Sequence, residues 1–404
     1  MNNINRKKFL QLSALASGSL FIPKFLNGLG QPGLLNSVGT EKILIVIQLS
    51  GGNDGLNTFI PYNNDLYYQL RPGIAIPKPS VLKVNDDMGF NPGMSSMKNL
   101  FDDGDLCIIN NVGYPNPDRS HFRSMDIWTT ASGSDKYIES GWLGRYLDAS
   151  CVGCDNAHMA VEVDGTLGKA MKGEHNKGLA VNNPYRLFRT TQDPFFKELM
   201  DTQKNKSLSD TNNTDYLYKT LIETSSSVSY IYDKSRIVKS TEVYPDSAFG
   251  KNLKLIAELI GSGSETKVYY VSLSGFDTHA KQNPLQEKLL KVVSDGMKSL
   301  VNDLKKNNKF DQTLIMAFSE FGRRVQQNGS GGTDHGEANN LILAGGALKK
   351  KGFFNSIPDL AKLSSGNIKF QTDFRSVYAT ILNKWLKADD HKILGTVFEK
   401  LDFI

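Results

Sequence analysis

Five consecutive apolar residues, Ile43-Leu44-Ile45-Val46-Ile47, lead through Gln48 and Leu49 into Ser50-Gly51-Gly52-Asn53-Asp54-Gly55. A run this short, rich in β-branched side chains and closed by glycines, predicts a strand buried on both faces. A parallel sheet covered by helices on each side provides such burial. Open sheets of that kind build their sites beyond the carboxyl ends of their strands. Asp54 stands at such an end, beside glycines that let backbone approach a bound ion or ligand closely. An acid there also serves as an ordinary loop cap, so Asp54 acquires meaning from the segments that follow.

The remainder of the chain alternates in the same way. Core strands are expected at 43–49, 105–110, 267–273, 312–318 and 340–344, and helices near 121–131, 141–149, 248–260, 286–306 and 373–387. Leu289, Leu290, Val293, Met297, Leu300 and Leu304 form one face at the 3.6-residue period. The expected fold class is therefore α/β, with a mostly parallel central sheet and helices on both faces. Residues 203–214 are polar and turn-forming, which predicts an exposed loop. The segment from about 151 to 245 is less clearly patterned and is expected to be an insert or cap over the sheet, not a second domain. Residues 41–404 then make one domain.

Residues 1–27 have the architecture of an export signal. Arg6-Lys7-Lys8 opens a basic region, and an apolar stretch to Leu26 is interrupted by serines, Gly18 and Pro23. It is too short and broken to predict a stable membrane span, although an uncleaved anchor is the alternative. Asn5-Arg6-Lys7-Lys8-Phe9-Leu10-Gln11 looks like a twin-arginine signal with lysine in place of one arginine. Export machinery is thus an expected partner, and the periplasm or cell surface the expected location. The segment holds Arg6, Lys7, Lys8 and Lys24 and no acid, so the rest of the chain carries +1 of the total +5. No basic stripe remains, which excludes nucleic acid as a partner. Three cysteines make no disulfide framework. Cys107 is expected inside a strand. Cys151-Val152-Gly153-Cys154 fits a local disulfide or two inert thiols better than half a zinc site, because no second such pair exists.

Four segments share one grammar, an apolar strand joined to a polar loop that holds metal-ligand residues. After Asp54 come Asp277 and His279 in Phe276-Asp277-Thr278-His279, Glu320 in Ser319-Glu320-Phe321-Gly322-Arg323, and Asp334 and His335 in Thr333-Asp334-His335-Gly336. Carboxylates mixed with imidazoles and without thiolates suit hard or borderline divalent ions: zinc, manganese, magnesium or calcium. His158, His175 and His391 lack such company and are expected to be structural or superficial. A fifth segment, Asp118-Arg119-Ser120-His121-Phe122-Arg123, leads into a helix. Ser120 there reads equally as the N-cap and as a nucleophile whose hydroxyl a metal activates. Arg119, Arg123 and Arg323 are candidates for holding the oxygens of a tetrahedral anion.

These segments, with Gly51-Gly52-Asn53-Asp54-Gly55, Gly141-Trp142-Leu143-Gly144-Arg145-Tyr146 and Thr372-Asp373-Phe374-Arg375, resemble the DUF1501 family of exported bacterial proteins. That group looks like a branch of the alkaline phosphatase/sulfatase superfamily. The resemblance implies an alkaline-phosphatase-like sheet carrying two metal ions and a nucleophilic Ser, Thr or modified Cys. By position, Asp54 resembles the first-strand ligand and Ser120 the nucleophile. Asp277 and His279 resemble ligands of one ion, Glu320 the acidic ligand of the other, and His335, after Asp334, the late histidine ligand. Three departures bear on this. Glu320-Phe321 stands where the superfamily often has Asp-His, which removes an imidazole from one ion. Asp277 and His279 are closer together than in the phosphatase pattern. The residues after Ser120 also lack the proline and arginine spacing that formylglycine formation requires.

The functional expectation is an exported hydrolase that uses one or two divalent ions and Ser120 to cleave a phosphate or sulfate ester. The anionic substrate would be a small molecule or a sulfated or phosphorylated glycan. The alternatives are a decayed hydrolase scaffold acting in binding or assembly, and a single-ion site that binds an anionic polysaccharide without cleaving it.

Overall fold

The computed structural model describes residues 42–150, 156–201 and 213–404. The export signal, Cys151, Cys154 and residues 203–212 lie outside the described residues. Twelve strands are described: β1 (Ile43–Ser50), β2 (Phe59–Ile60), β3 (Leu82–Lys83), β4 (Gly89–Phe90), β5 (Leu106–Gly113), β6 (Ala160–Glu162), β7 (Leu179–Ala180), β8 (Val268–Ser274), β9 (Thr313–Phe318), β10 (Asn339–Ala344), β11 (Gly352–Phe353) and β12 (Thr372–Asp373). The main sheet has nine of them, in the order β11-β5-β10-β9-β1-β8-β6-β7, with β12 also on β5. The short strands β2, β4 and β3 form a separate three-stranded sheet.

The alternation along β1 creates two cores. Ile43, Ile45, Ile47 and Leu49 face one, while Leu44 and Val46 face the other, as the period-2 geometry of a strand requires. The first core is closed by helices Ser95–Asp102, Ala248–Gly261 and Gln282–Lys306. The expected 3.6-residue face of the last holds: Leu290, Val293, Met297, Leu300 and Leu304 are buried, and Leu289 is partly so. The second core is closed by helices His121–Thr130, Trp142–Ser150 and Phe374–Thr380. There the Trp128 ring is stacked between Phe318 and Phe374, with centroids at 4.8 and 4.3 Å. That stack fixes the His121–Thr130 helix against β9. Cys107 is buried in β5, and desolvation raises its thiol pKa to about 12.

The sheet is mixed, with mostly parallel strands. β1 pairs in parallel with β8 and β9, whereas β10 runs antiparallel to both β5 and β9. No helix lies between β9 and β10, and a parallel return needs a long crossover, so the chain comes back in the opposite direction. This puts one set of loops on one edge of the sheet. The loops leaving β1, β8, β9 and β5 emerge there, and the loop entering β10 arrives there. In the segment expected as an insert, β6 and β7 extend the sheet beyond β8 by parallel pairing.

Glu162, at the end of β6, is buried and accepts a hydrogen bond from the Gly168 amide at 2.5 Å. Desolvation raises its pKa to about 7, with that hydrogen bond pulling in the other direction. The folded protein therefore keeps a proton that the unfolded chain releases, and stability falls as pH rises from about 4.5 to about 7. Thermal unfolding of wild type and Glu162→Gln across this window should show the wild type losing stability relative to the variant as pH increases. A difference independent of pH would contradict this.

Candidate metal centre

The site is assembled by loops that touch through backbone. Gly51 has φ +120°, and a Cβ there would overlap the Asp277 amide nitrogen, so the β1 and β8 loops meet only because this residue is glycine. After β9, the Gly336 amide donates to the Gly322 carbonyl and the Gly322 amide to the Glu337 carbonyl, and Arg323 and His335 form a β-bridge. That bridge places His335 over the end of β9. Arg323, 2% exposed, joins the loops. Its Nε donates to the Gly52 carbonyl at 2.5 Å and its Nη1 to the Thr333 carbonyl at 3.0 Å. Its Nη2 donates to Phe276 O at 2.9 Å, to Asp277 Oδ1 at 2.8 Å and to Gly51 O.

Three imidazoles and one carboxylate converge within this frame. One donor atom each from His121, Asp277 and His335 lie within 4.8 Å of one another. His279 adds an Nε2 that is 3.0 Å from His335 Nε2 and 3.0 Å from Asp277 Oδ1. His335 Nε2 is 3.1 Å from the same Oδ1, and His121 Nε2 is 3.4 Å from Asp277 Oδ2. Among the described residues no other group of this kind occurs.

The opposite nitrogen of each ring meets an oxygen acceptor. His335 Nδ1 is 2.8 Å from the Arg119 carbonyl, and His121 Nδ1 is 2.9 Å from Glu320 Oε1, which also accepts from the Gly51 amide at 2.8 Å. These oxygens only accept, so each Nδ1 carries hydrogen and each neutral ring keeps an Nε2 lone pair. His279 Nδ1 faces Asp334 Oδ1 at 3.5 Å. A hydrogen bond from Asn328 outweighs partial burial, and His279 adds to it, holding Asp334 below the usual carboxylate range. The contact of His279 Nε2 with His335 Nε2 at 3.0 Å needs a proton or a cation between the two nitrogens, and His121 Nε2 is buried with no hydrogen-bond partner. The separations are on the scale of neighbouring donors around one ion with bonds of about 2.0–2.2 Å. An Nδ1–H fixed by an oxygen with Nε2 aimed at a common point is the usual support of metal-ligating histidine.

Asp277 is charged to match. Partial desolvation pushes its pKa up, but the hydrogen bond and charge of Arg323 pull the other way, and the carboxyl is held well below the usual carboxylate range. The ring of Phe321 lies against His335 and His121, with centroids at 4.6 and 4.9 Å. Phe321 thus packs the imidazoles in place.

The structure changes the roles of several residues expected at the site. Asp54 is 1% exposed, and its carboxylate is taken up inside the protein. It accepts from Arg71 Nη1 at 2.5 Å, Gln282 Nε2 at 2.5 Å and the Leu56 amide at 3.2 Å. It caps the turn Gly55–Thr58 and neutralises a buried arginine, and it is not among the converging side chains His121, Asp277, His279 and His335. Glu320 supports His121 from behind, and Asp334 supports His279. Arg123 pairs with Asp126 and donates to the carbonyls of Gly133, Ser134 and Lys136. Arg123 and Arg323 are therefore spent on bracing loops; of the three arginines, Arg119 is the exposed one. Ser120 is exposed, has cap dihedrals and makes no capping hydrogen bond with its side chain. In the sequence His121 reads only as the residue after a candidate nucleophile. Its one sequence signal was its place in the first turn of a helix leaving a strand end.

The family described as "Protein of unknown function (DUF1501)" matches residues 41–398. No protein of curated function matches the chain. Among solved structures the chain is similar to the C-terminal periplasmic domain of EcEptC from Escherichia coli in complex with Zn. Identity is 12% over 79% of this chain and 78% of that chain, with a TM-score of 0.38. It is also similar to PsFucS1 sulfatase from Pseudoalteromonas sp., at 13% identity over 89% and 70%, TM-score 0.38. A protein in the alkaline phosphatase superfamily from Vibrio parahaemolyticus is similar at 9% identity over 98% and 78%, TM-score 0.37. At this level of likeness neither activity nor substrate transfers to this chain.

Substitutions should separate ligands from supports. His121→Ala should lose zinc affinity most, and Glu320→Gln should lose about 10–100-fold, the usual cost of removing a support behind a ligand. Asp54→Asn should leave zinc affinity unchanged yet cost about 3–5 kcal/mol of stability, because it strands the buried Arg71 charge. Competition titration and urea unfolding of the three variants measure both. Loss of zinc binding in a folded Asp54→Asn protein would restore Asp54 as a ligand.

Proposed function

The chain belongs to the DUF1501 family, and on that footing we propose that it is an exported metal-dependent hydrolase of phosphate or sulfate esters. The observation that carries this reading is the grouping of donor atoms of His121, Asp277 and His335 within 4.8 Å of one another, with His279 Nε2 beside His335 Nε2 and Asp277 Oδ1. His121, His279, His335 and Asp277 would hold a single divalent ion. Three nitrogen donors and one oxygen favour zinc over manganese, magnesium or calcium, which prefer oxygen. Such an ion supplies positive charge that an ester oxygen can share.

The rest of the chemistry falls to the chain. Ser120 lies between Arg119, whose carbonyl fixes His335, and His121, whose ring is fixed by Glu320. Its hydroxyl is not used as a cap. Attack by Ser120 Oγ on phosphorus or sulfur would release the alcohol, and water would then free the acid from the serine. Arg119 is the candidate to meet the peripheral oxygens of the transferred group. Asp277, kept anionic by Arg323, balances the charge of the ion. The basic and apolar segment 1–27 supports export, and no described helix is long and apolar enough to cross a membrane.

A second reading, a binding protein on this scaffold, is favoured by Phe321, which packs where the resemblance would place another imidazole. Turnover decides between them. Zinc- or manganese-loaded protein should hydrolyse 4-nitrophenyl phosphate or sulfate, with activity lost on chelation. Ser120→Ala should reduce kcat by about a thousandfold or more, the scale for loss of an attacking nucleophile. Full turnover in Ser120→Ala would assign the attack to water. Absence of turnover on phosphate and sulfate mono- and diesters in the metal-loaded protein would favour the binding scaffold.

A further inference from the structure

A second concave site lies away from the metal centre, where the helices Pro184–Thr191, Asn213–Lys234 and Ala248–Gly261 meet. The cleft holds about 410 Å³, within the range of small-ligand sites. Its walls include Arg236, Lys239 and Lys251 and no acidic residue. Arg236 is exposed and takes part in no ion pair among the described residues, its guanidinium lying 5.2 Å from the centroid of the Tyr232 ring. Among the described residues Lys251 pairs only with the 95%-exposed side chain of Asp246, a contact that contributes little and yields readily to a better anion. Lys239 is held by Glu258. Tyr232 is stacked on Phe188 at 4.2 Å, and Tyr185, 56% exposed, stands 6.1 Å from Tyr232 at 40°. The side-chain amides of Asn182 and Asn252 line the same space.

We propose that this cleft is a binding site for an anionic saccharide, whose binding there does not require an ion at the metal centre. Arg236 presents a planar fork that matches the oxygens of a sulfate or carboxylate, and Lys251 adds a mobile second cation. Tyr185 offers a flat apolar face held partly open to solvent, the surface that a sugar ring covers with its C–H groups. The amides can both donate to and accept from ring hydroxyls. The chain outside residues 1–27 carries a net charge of only +1, so three cations in one cleft fit a charged sugar better than a nucleic acid backbone.

The topology gives the cleft its use. Asn182 lies two residues past the end of β7, and β7, β6, β8 and β1 all run parallel. The cleft therefore opens at the same edge of the sheet as the loops after β1 and β8. At about 4.8 Å between neighbouring strands, β7 lies roughly 10 Å from β8 across the sheet. An oligosaccharide a few residues long can occupy the cleft while another of its units reaches the metal-ligating loops.

The experiment is calorimetric titration of a sulfated chondroitin hexasaccharide into protein stripped of metal with a chelator, which makes its outcome independent of the hydrolase reading. Wild type should bind, and the desulfated hexasaccharide should bind at least about tenfold more weakly. Tyr185→Ala and the pair Arg236→Ala/Lys251→Ala should each weaken binding of the sulfated sugar by about tenfold or more. All three substituted positions are exposed, so unchanged thermal unfolding is expected in the variants. No binding by wild type, or equal binding by the variants, overturns the site. Equal affinity for linear polyphosphate combined with no effect of Tyr185→Ala overturns the saccharide assignment and leaves a charge-only surface.

Discussion

The guanidinium of Arg323 is the interaction on which the rest of the site depends. It is nearly inaccessible to water, and its donors are met by the carbonyls of Gly51, Gly52, Phe276 and Thr333 and by the Asp277 carboxylate. Three loops that are remote in sequence converge on one planar cation. A buried arginine is tolerable only when its donors are satisfied and its charge is balanced. The loops must therefore close around it in one arrangement, and that arrangement carries Asp277 and His335 to the same point. Arg323 acts as a positioning residue, and its charge also keeps Asp277 anionic.

The direction of the strands does the rest. Because β1, β8, β9 and β5 all end at one edge and β10 begins there, residues as far apart as His121 and His335 come together without any local motif joining them. This much was legible in the sequence. The run Ile43–Ile47 announced a strand buried on both faces, and the apolar segments at 267–273 and 312–318 announced its two parallel neighbours. The face Leu290–Leu304 likewise announced the long helix that covers one core. The antiparallel course of β10 was less visible, since nothing in a short apolar strand records its direction; the missing helix between β9 and β10 was the only clue.

The site was less legible than the fold, and for one recurring reason. Sequence shows which residues can ligate or stabilise charge, but it does not show which of them are already engaged inside the protein. Asp54 has the chemistry of a ligand, yet Arg71, sixteen residues beyond the Gly55 turn in a segment with no recognisable motif, takes its charge. Arg123 has the chemistry of an anion clamp and is consumed by carbonyls of its own loop. His121 showed the converse. Its neighbour Ser120 drew attention as a cap or nucleophile, while the ring that follows, held by Glu320 and packed on Phe321, is the one directed inward. Phe321 itself, a departure from the resembled superfamily, gains a physical role as the wall against which two imidazoles rest.

Four side chains, His121, His279, His335 and Asp277, are proposed to form one metal centre through Nε2 atoms and a carboxylate. X-ray absorption at the zinc edge of the zinc-loaded protein tests it most directly. The expected result is one tightly held ion per chain with imidazole nitrogens and carboxylate oxygen at about 2.0–2.2 Å. Failure to retain zinc after dialysis, or a coordination sphere of oxygen alone, would contradict the account.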